Sequence, residues 1–380
     1  MKFAPTNARR GLTLVELLLA IILLALLMVA VFQLLDRSLS VWRKGETRRA
    51  LLEQASSVAS LLARDLRGLE SGTRGDLLVE WVRFDTDGDG IAESKWPRLR
   101  LVRQASAGDV ARLEEAGRVH DRKPRTTGSG DTETIVHDDA PLVRSAPGLI
   151  EIVWLVAPAS LVDKDARAEG ILWRGERLCD DKRSRSFFAN DFFGSSNRPP
   201  AGATEEVTTG VLWMQPLLAA QTSIVHEGWK LGPGLDCAAT AWDAWSRKRP
   251  GPEIHPWNAA HPGMPPQRDR PILPRRVQVE LEIERPADRL RRTRLVAPID
   301  LAASRLSVDD PDRITHEEGA FVLVDAEWMQ LGAPDSRGVA VTRGARGTTP
   351  LGLYAGSMVH WGQHLVLEVT VPTAREDWNP

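Results

Sequence analysis

From Leu12 to Leu35 the chain reads LTLVELLLAIILLALLMVAVFQLL, apolar everywhere except at Thr13, Glu16 and Gln33. At about 1.5 Å per residue a helix of this length spans the hydrocarbon core of a bilayer, and no later stretch of the chain does so. Glu16 is the anomaly within it. An ionised side chain in the middle of a membrane helix costs on the order of 3 kcal/mol, and such residues are usually found with a partner. Glu16 lies near the start of the run, where the cost is smaller, yet a solitary anchor would gain nothing from it.

Two ordinary explanations account poorly for this pattern. A cleaved secretory signal has an apolar part of about 7–15 residues followed by a small-residue site; this run is longer and no such site follows it. A plain amino-terminal anchor would be oriented by its flanking cations. Here Lys2, Arg9 and Arg10 stand on one side and Arg37, Arg43, Lys44, Arg48 and Arg49 on the other, so the positive-inside count leaves the orientation open.

The residues Gly11, Leu12, Thr13, Leu14, Val15 and Glu16, preceded by Arg9 and Arg10 and followed by apolar helix, resemble the class III signal of type IV pilins and type II secretion pseudopilins. The resemblance implies that a prepilin peptidase cuts after Gly11 and methylates the new amino terminus on Leu12. It also implies that Glu16, the fifth mature residue, pairs with the terminal amine of a neighbouring subunit. Leu12 stands where the family usually has Phe. A buried carboxylate is tolerable when an opposite charge meets it and costly when that partner is lost, so Glu16 makes the anchor an assembly element.

Past the membrane run, Leu51, Leu52, Ala55, Val58, Ala59, Leu62, Leu66 and Leu69 recur at steps of three and four. That spacing predicts one apolar helical face, ending at Ser71 and Gly72, with Gly45 as a weak point. Strands are expected at Asp76–Phe84, Leu99–Arg103, Leu149–Ala157, Gly170–Leu178, Val277–Glu284 and Thr293–Ile299. The polar or Pro-rich stretches Ser106–Asp139 and Gly251–Pro271 read as surface loops. Beyond SRLSVDDPDRITHEEG, the runs AFVLVD, EWMQLG, GVAVTRG, SMVHW and HLVLEVTVP read as a small β module. RGARGTT within it reads as a turn between strands rather than an anion-binding loop.

The expected fold class is therefore α+β: a long amino-terminal helix, half transmembrane and half amphipathic, packed on an antiparallel sheet as in pilins, with an appended β module. The expected regions are a leader at 1–11, a transmembrane half at 12–35, an amphipathic half at 36–72, a globular domain with long loops at 73–303 and the β module at 304–380. The segments RDLRGLES, VWLVAP, ILWRGERL and LPRRVQVELEIE, in that order, resemble the J-type minor pseudopilin over roughly Leu12 to Ala303. Minor pilins of the W type share the size range and the first helix. The K type typically lacks the acid that Glu16 supplies.

The J-type resemblance implies a minor pseudopilin of a type II secretion system, assembling with I- and K-type subunits into a tip complex that primes the pseudopilus. Its partners would be the prepilin peptidase, the other minor pseudopilins, the major pseudopilin and the membrane. The implied location is the inner membrane, single pass, with a periplasmic globular domain. The alternatives are a W-type minor pilin that primes a true pilus, or a membrane-anchored extracytoplasmic calcium-binding or hydrolytic protein.

Candidate chemistry is sparse. In FDTDGDGIAE, Asp85, Asp87 and Asp89 offer hard oxygens around Gly90, and Glu93 with the Ile91 carbonyl could complete a structural calcium site, although Trp96 stands where a bidentate acid closes a calcium loop. The same residues serve equally as an Asp- and Gly-rich hairpin turn. His226, His255 and His261 lack metal-ligand spacing. No nucleophile elbow, Cys-His motif or phosphate-binding glycine loop occurs, so no enzyme activity and no catalytic residue are expected. With 49 Lys and Arg against 51 Asp and Glu, nothing in the charge balance calls for nucleic acid. Cys179 and Cys237 permit one disulfide but neither a disulfide scaffold nor a Cys-rich zinc site.

Overall fold

The computed structural model describes residues 14–85, 94–121, 126–127, 134–135, 148–159, 169–181, 184–189, 192–194, 197, 202–219, 238–245, 271–284, 292–315, 317–335 and 338–371. Two compact units emerge, 1–53 and 54–380. Helix α1 (Leu14–Arg67) runs through Gly45. In its last part Ala55, Val58, Leu62 and Leu66 are buried, as the three- and four-residue spacing requires. The helix closes at Arg67, short of Ser71 and Gly72, because the next residues join a sheet edge: Leu69 bridges to Arg103, and the Glu70 amide donates to the Val102 carbonyl at 3.0 Å.

In chain order there follow β1 (Leu77–Phe84), β2 (Ser94–Ala105), α2 (Ala107–Asp121), β3 (Thr126–Thr127), β4 (Thr134–Ile135), β5 (Gly148–Pro158) and β6 (Gly170–Leu178). Next come β7 (Glu205–Ala219), β8 (Ala238–Ala239), β9 (Trp242–Asp243), β10 (Arg276–Ile283), β11 (Thr293–Arg294) and β12 (Arg305–Leu306). The last are β13 (Phe321–Val324), β14 (Glu327–Asp335), β15 (Gly338–Ala345), β16 (Met358–His360) and β17 (Gln363–Thr370). The main antiparallel sheet has the order β17-β10-β7-β6-β5-β2-β1-β9, with β8 on β7; a second sheet has the order β11-β16-β13-β14-β15-β12. Helix plus antiparallel sheet fits the expected α+β class, but strands dominate.

Three differences from the sequence reading have local causes. Residues 107–121, read as loop, form α2, whose start is fixed by a reciprocal cap: Ser106 Oγ accepts from the Asp109 amide at 3.2 Å, and Asp109 Oδ2 accepts from the Ser106 amide at 3.3 Å. The long strand β7 has no counterpart among the expected strands, because Gly210 and Pro216 interrupt its pattern. Pro216 is tolerated beyond the last β6 pair, Gly170↔Val211, and before β8 pairing starts at Leu218.

The third difference is the division of strands. The small sheet begins at Thr293 rather than near 304, and β17 lies in the main sheet, paired with β10 from Arg276↔Thr370 to Ile283↔Gln363. The small module is thus inserted between two neighbouring strands of the main sheet, not appended after it. Its core is its own, with Leu306, Val322, Val324 and Met329 fully buried.

The main sheet carries cover on both faces. The end of α1 meets the face that bears Trp154, Arg174 and Arg103. Residues 184–189 and Phe193 meet the other: Arg100 donates to the Phe187 carbonyl, Glu151 accepts from the Phe187 amide, and the Arg98 guanidinium stands 3.9 Å from the Phe193 ring. Register accounts for this, since Arg98↔Leu155 and Arg100↔Val153 put one row on one face, and Arg103↔Ile150 puts the alternate row on the other.

Candidate functional site

The large apolar side chains described between Leu14 and Leu39 are all exposed, Leu14 at 79% and Phe32 at 67%. Such a surface on every side of a helix calls for lipid or protein around it. Leu17–Leu39 is, among the described residues, the one helix long and apolar enough to cross a membrane. Glu16 lies in the first turns of α1, while Gly11 and Leu12 fall outside the described residues.

Asp65 centres the first of three polar clusters that lie outside the expected site residues. It is fully buried and accepts from Trp154 Nε1 at 3.0 Å and from Arg174 Nε and Nη2 at 2.8 and 3.1 Å, with Arg103 Nε at 3.1 Å. Arg174 continues to Glu176 at 3.0 Å, which also meets Arg112 of α2. Burial alone would push the Glu176 carboxyl up, but the two guanidinium groups outweigh it and hold it below the usual range. A signal was present in the sequence: Asp65 follows Leu62 by three and Val58 by seven, on the apolar stripe, where an acid requires a buried partner.

A second cluster gathers where the small module joins the main sheet. Glu169, Glu284 and His360 lie within 4.8 Å of one another through their ligand atoms, all buried, which is metal-like spacing. Arg292 already occupies the centre, paired with Glu169 and with Glu284 at 2.7 Å. Adding a divalent cation beside that guanidinium would leave an excess positive charge in low dielectric, so the cluster is read as an ion-pair clamp. Burial would raise the Glu284 carboxyl; His360 and Arg292 together bring it below its ordinary value.

A third cluster centres on Arg346. Its guanidinium stands 4.2 Å from the Phe321 and Trp328 rings and 5.3 Å from Trp213, and it pairs with Glu282 at 2.7 Å. Burial pushes the Glu282 carboxyl up against the opposing pull of Arg346 and the Gly362 amide. Within RGARGTT, then, Arg346 is spent on Glu282 and Arg343 on Glu327, as befits a structural turn with positive φ at Gly344, Arg346 and Gly347.

Of the expected calcium ligands only Asp85 is described, exposed just past β1; Asp87, Asp89, Ile91 and Glu93 lie outside the described residues. The same holds for His226, His255, His261 and Cys237. Cys179 is a free thiol, and burial, reinforced by Glu151, pushes its pKa up to about 12, which makes it inert as a nucleophile.

The prokaryotic N-terminal methylation motif matches residues 6–32, the stretch that contains Gly11, Leu12 and Glu16. The chain therefore carries a class III prepilin signal, the mark of type IV pilin-like proteins, a class that includes the pseudopilins. Processing by a prepilin peptidase and assembly with other pilins follow from that motif, and the apolar helix is consistent with a single-pass inner-membrane anchor. No curated protein and no solved structure matches the chain.

Proposed function

We propose that this chain is a minor pseudopilin of the J type, acting through assembly in a type II secretion tip complex rather than through catalysis. The observation that carries the reading is the placing of Glu16 five positions after Gly11, at the start of an uninterrupted apolar helix within the matched motif. An acid there is useful only if a neighbouring protomer's amino terminus neutralises it. The globular part would lie on the periplasmic side and contact I- and K-type partners.

Co-expression with a prepilin peptidase is expected to yield a chain shortened by residues 1–11, with a methylated Leu12, as read by intact mass. Gly11→Ala should leave the full-length mass; a Gly11→Ala chain that is still cut defeats the pilin-like reading. Co-purification with I- and K-type pseudopilins in preference to type IV pilus subunits tests the J type, and the reverse preference would assign the chain to pilus assembly.

A further inference from the structure

The outer edge of β17 carries no strand among the described residues, although β17 pairs with β10 along its whole length on the other side. Natural edge strands are usually short, bulged, or guarded by Pro or inward-pointing charge, because a bare row of N–H and C=O groups recruits another strand. β17, QHLVLEVT, is eight residues long with no Pro and no register shift against β10. Val366 at its middle is 55% exposed. Leu365 and Leu367 are partly buried and continue the apolar row Leu281 and Val279 of β10 out to the edge.

We propose that the edge of β17 is an interface for a second copy of this chain, antiparallel and two-fold, centred on Val366. The sequence of the strand is self-complementary in that register. Val366 faces its own mate, Leu365 faces Leu367, and His364 faces Glu368 on both sides of the axis. Every pair joins residues of like parity, so the apolar face and the polar face both continue across the junction.

The local chemistry is poised for the polar pair. His364 Nδ1 lies 3.3 Å from Arg346 Nη2, a donor, and burial followed by that same cation holds the imidazole neutral. The proton of the neutral ring then resides on Nε2, free to be donated to a carboxylate across the edge. Glu368, paired with Arg276 in its own chain, is partly exposed and accepts. A shift by two residues would lose the His364–Glu368 match, which is what selects this register. The inference goes beyond the secretion role and does not depend on it.

Disulfide trapping in membranes tests it on the full chain, with Cys179→Ser and Cys237→Ser removing the native thiols. Val366→Cys should give a covalent dimer on mild oxidation, at least fivefold above Tyr354→Cys, an exposed control on the small module (Tyr354 is 80% exposed). Chains with Leu365→Cys mixed with chains carrying Leu367→Cys should cross-link to each other. Val366→Lys, at a site too exposed to unfold the sheet, should abolish the mixed cross-link. The proposal is overturned if Val366→Cys dimerises no better than the control, if Val366→Cys traps a different protein instead, or if Val366→Lys leaves the mixed cross-link intact.

Discussion

Asp65→Ala is expected to lower the stability of the globular part by about 3–5 kcal/mol, among the largest effects any single substitution here should have. The reason lies in what remains rather than in what is removed. Asp65 is fully buried and is the shared acceptor for the Trp154 indole and the Arg174 guanidinium, with Arg103 beside it. Without the carboxylate two guanidinium groups stay in low dielectric with one counter-ion fewer, and an indole N–H loses its acceptor. Denaturant unfolding followed by the fluorescence of the thirteen tryptophans, several of them buried in the globular part, would measure it. Arg174→Met alone should also destabilise, but Asp65→Ala with Arg174→Met should cost less than the sum of the two, because the second change removes a charge the first has stranded. A loss under about 1 kcal/mol for Asp65→Ala, or strict additivity, would mean that solvent reaches the cluster and that the ion pairs do not organise the packing of α1 on the sheet.

The helix was legible because its pattern is local. Ala55, Val58, Leu62 and Leu66 repeat at helical spacing, and burial follows that spacing. Strands β1, β5, β6 and β10 were legible for the same reason, each being a continuous or alternating apolar run. What was not legible is non-local. HLVLEV alternates equally well whether it pairs in a terminal module or returns to β10, so nothing within it tells which sheet receives it. The insertion of the small module depends on that choice. β7 was hidden by Gly210 and Pro216, residues that disfavour a central strand, and it forms because β10 supplies a full ladder along one of its edges. Of the candidate site, the residues Gly11, Leu12 and Glu16 were within reach of the sequence because they stand within six positions of one another and together resemble the class III prepilin signal. The clamps around Asp65, Glu284 and Arg346 could not, because each joins residues from strands far apart in the chain. Only Asp65, an acid on an apolar stripe, announced that a partner must exist.

The inserted module should depend on Glu327 to a similar degree, and in a way that pH reveals. Glu327 is fully buried and accepts from Arg343 Nε and Nη2 at 2.6 and 2.7 Å, from the Leu351 amide at 2.9 Å and from the Gly344 amide at 3.1 Å. Arg343 in turn donates to the carbonyls of Asp300 and Leu351 at 2.6 and 2.5 Å, so one ion pair ties the β14 hairpin to two connecting segments. Glu327→Ala is expected to cost about 3–5 kcal/mol by stranding the guanidinium, whereas Glu327→Gln keeps an acceptor in place and should cost about 1.5–3 kcal/mol. Burial by itself would raise the Glu327 carboxyl; the Arg343 hydrogen bonds, the two amides and the guanidinium charge prevail and hold it below its ordinary value. A depressed carboxyl stabilises fully above the unfolded pKa of about 4.3 and loses that contribution as pH falls through the folded value beneath it. Glu80, Glu176 and Glu284 are depressed in the same direction, so the wild-type chain should lose stability steeply below about pH 4. Glu327→Gln should remove its own share of that slope while the rest persists. Urea unfolding at pH 7 and near pH 3 separates the outcomes: a Glu327→Gln chain whose stability falls as steeply as wild type would show that the carboxylate is not ionised where Arg343 holds it.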